Sequence, residues 1–262
     1  MAWKRLGHYL PETLAVLLGL ALWWALGVWT NLPSFILPTP MEVYRKALHA
    51  LSTGLLWRHF WATLVEVLLG LALGMGVALP LGYLMHKFTP LERILSPYLV
   101  ASQAMPVVAI APLLIIWFGP GLFSKVLICA LIVFFPMLVN TVVGLGNIPE
   151  EWRDLLRVLH ASWWQTLWYL EWPAALPVIA GGLRIGATLS VIGAVVGEFV
   201  AADRGLGFLI NAARGRYDTA MVFVALAALM LMALALYGTV RLLERHLLAW
   251  QANAASRVHR GL

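Results

Sequence analysis

Residues 147–173 read NIPEEWRDLLRVLHASWWQTLWYLEWP, a polar stretch between long apolar runs. Charged and apolar side chains alternate at helical spacing over its first half, and tryptophans crowd its second half. The flanking segments belong in a bilayer, so this stretch forms one structured surface outside it. The simplest explanation of such a surface is a docking site for a soluble partner.

The composition is that of a membrane protein. Of the 262 residues, 62% are hydrophobic and 11% are charged, whereas soluble domains contain about 25% charged residues. The formal charge of +6 is scattered between apolar runs and forms no basic stripe, which argues against nucleic-acid binding. Cys129 is the single cysteine and lies in an apolar run, which predicts a small buried residue. The histidines show no metal-ligand spacing, so no metal site is predicted.

The apolar segments predict an all-α membrane protein with a single transmembrane domain over residues 1–262. A membrane-spanning helix needs about 20 mostly apolar residues. The N-terminal apolar segment is predicted to be an uncleaved first span rather than a signal peptide. A short amphipathic helix over 41–51 is predicted to lie along the membrane interface. The six predicted spans are 14–29, 60–84, 95–118, 126–146, 174–197 and 219–240.

The distribution of Lys and Arg predicts the orientation. With the N-terminus in the cytoplasm, ten of these residues fall in inside segments and seven in outside segments. Basic residues are enriched in cytoplasmic loops, so the bias favours cytoplasmic N- and C-termini and a cytoplasmic 147–173 loop. Charged residues between the last two spans then form an outer loop, either a protein-docking loop or an ordinary solvated one: Glu198, Asp203, Arg204, Arg214, Arg216 and Asp218.

The 147–173 loop is predicted to contain two short helices. Asn147 is expected to cap the first helix, with Glu150 bonding back to it as in a capping box. An apolar stripe of Trp152, Leu155, Leu156 and Leu159 predicts an amphipathic helix. The pattern breaks at 160–162, and a second helix over 163–170 is predicted before Pro173 opens the next span. The alternative is an interfacial helix pair whose tryptophans anchor the loop at the lipid headgroups.

Two ionisable residues fall inside predicted spans, where charges are costly and usually face the bundle interior. Glu66 lies about two turns into the second span, and Arg184 lies about three turns into the fifth. One hypothesis pairs them at a similar depth. The other places Arg184 in a helix-end contact near the cytoplasm. Gly70, Gly74 and Gly76 are interpreted as sites of close helix packing.

The 147–173 loop resembles the EAA loop of the permease subunits of bacterial ATP-binding cassette importers. That pattern has a Glu-Ala-Ala triplet, a Gly shortly after it and a Leu-Pro pair further on. Here Asp154-Leu155-Leu156 takes the place of the triplet and His160 that of the Gly, and Leu176-Pro177 matches the pair. We call residues 147–173 the EAA-like loop. Leu155 and Leu156 depart from small alanines, and His160 must adopt a positive φ if the corner is kept.

Further segments resemble the subgroup that imports nitrate, alkanesulfonates, taurine and vitamin precursors such as pyrimidines or riboflavin. Each motif is weak alone, but their order along the chain is specific. They are Phe35–Pro40, Gln103–Pro106, Ala111-Pro112-Leu113, Trp117-Phe118-Gly119, Phe134-Phe135-Pro136 and Gly182-Leu183-Arg184.

The resemblance implies the fold of a type I importer permease in the bacterial inner membrane. It also implies an ATPase partner that binds the EAA-like loop and an extracytoplasmic substrate-binding protein. A second permease copy is implied as well, and a homodimer is favoured over a heterodimer. The chain lacks a Gly-x-x-x-x-Gly-Lys-Ser/Thr loop, so we expect no enzyme activity and no cofactor of its own, with ATP and Mg bound by the partner ATPase. The expected ATPase-contact residues are Glu151, Asp154, Leu155, Leu156, Arg157, His160, Ala161 and Ser162.

The translocation path is expected at the dimer axis. The candidate path residues place polar or backbone-breaking groups at depth in the membrane: Gln103, Met105, Pro106, Asn140, Thr188 and Ser190. Helix–helix hydrogen bonding explains Asn140, Thr188 and Ser190 equally well. Two other functions are weighed against the importer. A self-contained secondary transporter or channel would need several mid-membrane acids, whereas Glu66 alone qualifies. A membrane-embedded enzyme would need clustered His, Asp or Glu, which the sequence does not show.

Overall fold

The computed structural model describes residues 2–29, 33–103 and 106–248, with the side chains of 2–13, 16, 102 and 103 excepted. These residues form helices and their connections, with no strand among them. The helices before the EAA-like loop are α1 (Ala2–Trp29), α2 (Pro40–Ser52), α3 (Leu55–Lys87), α4 (Thr89–Gln103), α5 (Val107–Phe118) and α6 (Leu122–Gly146). They are followed by α7 (Glu150–Val158), α8 (Trp163–Thr166), α9 (Trp172–Val200), α10 (Leu206–Gly215) and α11 (Thr219–Leu247), with a π-helical turn, Leu167–Glu171, joining α8 to α9.

Four described helices are long and apolar enough to cross a membrane: 55–87, 122–146, 163–200 and 219–247. They correspond to the second, fourth, fifth and sixth predicted spans. The apolar part of α1, Leu17–Trp29, and helix α5 are shorter. The all-α membrane fold is therefore confirmed, and the count of six spans stays a prediction.

The third predicted span, 95–118, is not one continuous helix. Pro106 occupies the N-cap position of α5 with φ −68° and ψ 116°, and α4 ends at Gln103. A proline has no N–H to donate into the preceding turn and disfavours helical geometry at the residue before it, so the chain restarts its helix there. Helix α5, with 12 residues, is about 18 Å long.

Helices α3, α6 and α9 pack together at the centre of the bundle. Cys129 of α6 is completely buried between Gly70 of α3 and Gly193 of α9. A Cβ on Gly70 would lie 2.1 Å from Cys129 Cβ, and one on Gly193 would lie 2.8 Å from Cys129 Cα. The prediction of close packing is confirmed for Gly70 and for Gly74, where an added Cβ would lie 2.8 Å from the Ala130 carbonyl oxygen. It is wrong within this chain for Gly76, because no described atom of another element lies within 4 Å of a Cβ added there.

The helix predicted over 41–51 is present as α2, and its position along the membrane interface stays a prediction. Its first turn is closed by a capping box, in which Glu42 N–H donates to Thr39 Oγ1 at 3.3 Å and Thr39 N–H donates to Glu42 Oε2 at 2.8 Å. Lys46 forms an ion pair with Asp218, the N-cap of α11, at 2.5 Å. The polar side of α2 is thus held against the start of the last long helix.

The segment between α9 and α11 is not the charged loop that the sequence predicts. Most of it is helix α10, in which Leu206, Leu209, Ile210 and Ala213 are buried in the core. Glu198 ends up fully buried inside α9, because that helix continues to Val200. Asp203, Arg204, Arg214 and Arg216 keep the exposure that the prediction assumed, and Asp218 is half-buried.

Candidate functional site

The EAA-like loop begins with a helix whose N-terminus differs from the prediction. Helix α7 starts at Glu150 with Pro149 in the N-cap position and no side-chain cap. Asn147 instead ends α6, since its N–H bonds to the Val143 carbonyl at 3.0 Å and its backbone is helical. The capping box predicted for Asn147 is wrong, because an N-cap needs extended backbone, which Asn147 lacks. Glu150 and Glu151 still place negative charge at the positive end of α7.

Helix α7 ends at a left-handed residue, as the predicted corner requires. His160 has φ 51°. Its N–H donates to the Arg157 carbonyl at 3.1 Å, and Ala161 N–H donates to the Leu156 carbonyl at 3.0 Å. These two bonds are those of a Schellman motif, in which glycine is the usual left-handed residue. The chain therefore keeps the helix–turn–helix corner with His in that place.

The second half of the loop is the beginning of the next span rather than a separate helix. Ser162 and Gln165 form a capping box, with Ser162 N–H donating to Gln165 Oε1 at 2.7 Å. Helix α8 then runs through the π-helical turn into α9, so that 163–200 is continuous. The second helix predicted over 163–170 and the span predicted from 174 are thus one element. Pro173 lies in the first turn of α9, where its missing N–H costs little.

The apolar stripe of α7 is largely uncovered. Leu155, Val158 and Leu159 are 60%, 76% and 65% exposed. Of the predicted stripe, Leu156 alone is half-buried, packed on the cluster that contains Leu145 and Ile148. The amphipathic helix that the stripe predicts is present, and its apolar side chains other than Leu156 are exposed. A contiguous exposed apolar surface of this kind marks a site of interaction.

Most of the residues predicted to contact an ATPase lie on this uncovered surface. The exposed ones are Glu151, Asp154, Leu155, Arg157, His160 and Ser162, and Leu156 and Ala161 are half-buried. Asp154 and Arg157 form an ion pair at 2.6 Å, with side chains that are mostly in solvent. Exposed pairs add at most about 1 kcal/mol to stability. These two charges are consequently free to serve recognition without being needed for the fold.

Arg153 attaches α7 to the helical bundle. Its Nη2 donates to the Leu145 carbonyl at 2.8 Å and lies 2.7 Å from His86 Nε2 on α3. Arg has only donors, so His86 Nε2 must accept, and that ring is neutral with its proton on Nδ1. The backbone end of α6 and the last turn of α3 are thereby joined to α7 by one side chain.

Glu171 attaches the other end of the loop. It is completely buried in the π-helical turn. Lys87 Nζ donates to Glu171 Oε1 at 2.8 Å, and Tyr83 Oη donates to Oε2 at 3.0 Å. Trp163 Nε1 donates to Tyr83 Oη at 2.8 Å, which extends the network to the first residue of α8. π-helical turns recur at functional sites, and this one presents a carboxylate to two donors of α3.

These attachment residues were missed by the sequence reasoning. The partners are 67 to 88 positions apart in sequence, so no local pattern joins them. Two signals were available. Tyr83 and Lys87 are four apart and therefore share one face of α3, and Glu171 is a lone acid beside apolar residues at the mouth of a span.

The two charges predicted inside spans do not pair with each other. Glu66 forms its ion pair with Lys125 of α6. Arg184 pairs with Glu244 near the end of α11, with Arg184 Nε 3.3 Å from Glu244 Oε2. The Glu66–Arg184 hypothesis is therefore wrong, since the two partners lie on other helices. The helix-end alternative for Arg184 agrees with the structure.

Three of the predicted path residues surround the break between α4 and α5. Met105 lies outside the described residues, and Gln103 is described by its backbone alone. Pro106 is exposed at the N-cap of α5. A path role for these three stays a prediction.

The other three predicted path residues bond within their own helices. Ser190 is completely buried, and a path role for it stays a prediction. Asn140 and Thr188 are half-buried, and their path role stays a prediction. The bonds run from Asn140 Nδ2 to the Pro136 carbonyl (2.8 Å), from Thr188 Oγ1 to that of Ile185 (2.9 Å) and from Ser190 Oγ to that of Ala187 (2.8 Å).

Comparison with solved structures shows the same fold in a known transporter. The inward-facing MetNI methionine ABC transporter superposes with a TM-score of 0.67 at 20% identity, over 75% of this chain and 97% of that chain. A second crystal form of the same transporter gives a TM-score of 0.62 at 19% identity, over 71% of this chain and 93% of that one.

Sequence relatives are similar over nearly the whole length. The riboflavin transport system permease protein RibX of Chloroflexus aurantiacus is 52% identical, over 96% of this chain and 92% of its own. The formylaminopyrimidine transport permease protein ThiX of Halalkalibacterium halodurans is 35% identical (95% and 98%), and the taurine transport system permease protein TauC of Escherichia coli is 32% identical (92% and 89%).

The family model described as "binding-protein-dependent transport system inner membrane component" matches residues 67–249, which include the whole EAA-like loop and its attachments on α3. Together with the relatives, this match confirms the resemblance drawn from the loop. The chain belongs to this family and is a permease subunit of the ATP-binding cassette importer type.

Proposed function

We propose that the EAA-like loop is the surface through which a separate ATPase drives this permease. One observation supports the proposal above the others: the apolar face of α7 is uncovered, although the loop itself is fixed to the bundle at both ends. A docking element needs a free surface and a rigid base, and this loop has both. Asp154 and Arg157 flank the apolar face and supply the charges that orient a partner.

The remaining assembly follows from the number of loops. One chain provides one EAA-like loop, and two ATPases need two, so we propose a homodimer of permeases. ATP and Mg are bound by the ATPase subunits, and an extracytoplasmic binding protein delivers the solute. The complex lies in a bacterial inner membrane, with both termini of the permease in the cytoplasm. Cysteine labelling of the two ends from either side of the membrane tests this orientation.

The names of the relatives define the proposed substrate class. Those relatives are named for riboflavin, formylaminopyrimidine, taurine and aliphatic sulfonates. We propose that this chain conducts a small organic molecule of this kind, either a vitamin or vitamin precursor or a sulfonate. Uptake of labelled riboflavin and labelled taurine by the reconstituted complex tests the class directly.

The docking role is tested by exchanging the two charges, Asp154→Arg with Arg157→Asp. The exposed pair adds little to stability, so the variant is expected to fold, to lose co-purification with the ATPase and to lose ATP-driven uptake. Arg93→Glu is the matched control, because Arg93 is exposed on α4 and lies outside the loop. Normal uptake by the double variant would remove the docking role. Solute movement by the permease alone, with no ATPase present, would instead favour a secondary transporter or channel.

A further inference from the structure

A cavity of about 830 Å³ opens at the end of the bundle opposite the EAA-like loop. Its walls come from the first half of α3, the start of α6 and the link between α9 and α10. Sites for small molecules typically occupy about 300–1,000 Å³ and combine apolar walls with a few convergent polar groups. The volume of this cavity falls in that range, and its walls contain both kinds of group.

The deepest part of the cavity is a buried ion pair. Glu66 and Lys125 line the cavity, are 1% and 4% exposed, and bond through Glu66 Oε1. The second oxygen, Glu66 Oε2, has no hydrogen-bond partner among the residues that the structure describes. A buried carboxylate oxygen without a donor is costly. Glu66 therefore presents an unused acceptor beside a buried ammonium.

Each oxygen of the neighbouring carboxylate, Glu198, accepts a hydrogen bond. Thr63 Oγ1 donates to Glu198 Oε1 at 2.7 Å, and Gly207 N–H donates to Oε2. Gly205, at φ 121°, lets the backbone approach so closely that an added Cβ would lie 2.1 Å from the Glu198 carboxyl. Glu198 thus holds the 201–207 link in place through both of its oxygens, whereas Glu66 Oε2 receives no hydrogen bond from a described residue.

The rim adds positive charge and an aromatic surface. Arg58 and Arg204 line the opening, together with Asp203. Trp61, which is 47% exposed, also lines the cavity, and its ring packs edge-to-face against Trp57 at a centroid distance of 5.5 Å. A ligand here would meet an acceptor and an ammonium at the floor and guanidinium groups at the rim.

We propose that this cavity binds a small molecule in which a hydrogen-bond donor lies beside an anionic or carbonyl acceptor. The donor, an N–H or ammonium group, bonds to Glu66 Oε2, and the acceptor faces Lys125 and the rim arginines. The imide of riboflavin and the ammonium and sulfonate groups of taurine both satisfy this description. The inference rests on the proposed function, because the ligand is the transported solute met at one end of its path.

Binding to the purified permease–ATPase complex, without binding protein, tests the proposal. The probes are labelled riboflavin and taurine in equilibrium dialysis, each beside an analogue that lacks the donor: riboflavin methylated at the imide nitrogen, and ethanesulfonate. We expect one donor-bearing probe to bind at least about tenfold more tightly than its analogue, because the analogue leaves Glu66 Oε2 without a hydrogen-bond donor.

Two variants locate the site, and one serves as control. Glu66→Gln with Lys125→Met removes the pair without leaving one charge alone, and Ala202→Trp fills the opening with the pair intact. Both are expected to weaken binding of the donor-bearing probe by about tenfold or more. Lys46→Gln, which breaks the ion pair between α2 and Asp218 outside the lining of this cavity, is expected to leave binding unchanged.

Undiminished binding in both cavity variants would overturn the proposal, as would equal binding of a probe and its donor-free analogue. ATP-driven uptake of a probe that the complex never binds in dialysis would also overturn it, while leaving the proposed function intact. Absence of both uptake and binding for the two probes would reject the ligand class together with the proposed substrates.

Discussion

Replacing Glu171 by Gln tests whether the buried carboxylate fixes the EAA-like loop to α3. Gln keeps the shape of the side chain and removes its charge, so the bonds from Lys87 and Tyr83 lose their ionised acceptor. A hydrogen bond to a charged group contributes about 1.5–3 kcal/mol. Lys87 is 33% exposed, so its ammonium regains water, and we expect a loss near the lower end, about 2 kcal/mol in all.

The assay is thermal unfolding of the purified permease in detergent. A loss of about 2 kcal/mol lowers the Tm of a domain of this size by about 4–8 °C. If the loss comes from the unpaired Lys87, then Lys87→Met combined with Glu171→Gln must cost less than the sum of the single changes. This double-mutant cycle therefore separates the contribution of the Lys87–Glu171 ion pair to stability from that of the other hydrogen bonds in the network.

Asp203→Asn is the matched control, because Asp203 is 87% exposed and 3.9 Å from its partner Arg204. It is expected to leave the Tm within error of the wild type. A Glu171→Gln protein whose Tm equals that of the Asp203→Asn control would refute the view that this carboxylate stabilises the loop. Strict additivity of the Lys87 and Glu171 changes would refute the pairing.

Three further predictions concern the corner, the packing and the other attachment. His160→Gly is expected to keep or slightly raise the Tm. His160→Val should lower the Tm by the equivalent of about 1–2 kcal/mol, because a β-branched residue resists a positive φ. Equal Tm values for the two variants would contradict the left-handed corner. Gly70→Ala should lower the Tm by the equivalent of about 1–3 kcal/mol through overpacking against Cys129, and Gly76→Ala should leave the Tm unchanged. Equal Tm values for these two variants would contradict the close packing at Gly70. Arg153→Met should leave the ATPase bound but reduce uptake per ATP hydrolysed, measured in proteoliposomes, and unchanged coupling would show that Arg153 is dispensable.

The sequence was sufficient for the features that depend on local composition. Hydropathy located the long helices α3, α6, α9 and α11, because a bilayer requires long apolar segments with internally satisfied backbone. The positive φ of His160 was also predictable, since the resemblance placed it where glycine is expected. In both cases the deciding interaction lies within a few residues of the position predicted.

The errors arose where tertiary contacts overrode a local pattern. Asn147 has a side chain suited to an N-cap, but α6 extends to Gly146 and Asn147 is the C-cap of that helix. Glu66 and Arg184 have compatible depths, yet depth along two helices does not determine which faces meet, and each found a partner on another helix. For α7, apolar periodicity shows which side of the helix is apolar but not what covers it, so the exposure of that side is visible only in the structure.

The two attachments determine what a force on the loop can do. Arg153 joins α7 to the ends of α3 and α6, and Glu171 joins the start of α9 to α3. Both attachments therefore reach α3 within the last five residues of that helix, 83–87. A partner that moves α7 cannot swing the loop freely, because each end is bonded to a long helix. The displacement must therefore pass into α3, α6 and α9, whose tight packing around Cys129 makes them move as one body. The far ends of the same three helices supply the cavity with Glu66, Lys125 and the link after α9, so a movement at the loop and the shape of that cavity are mechanically joined.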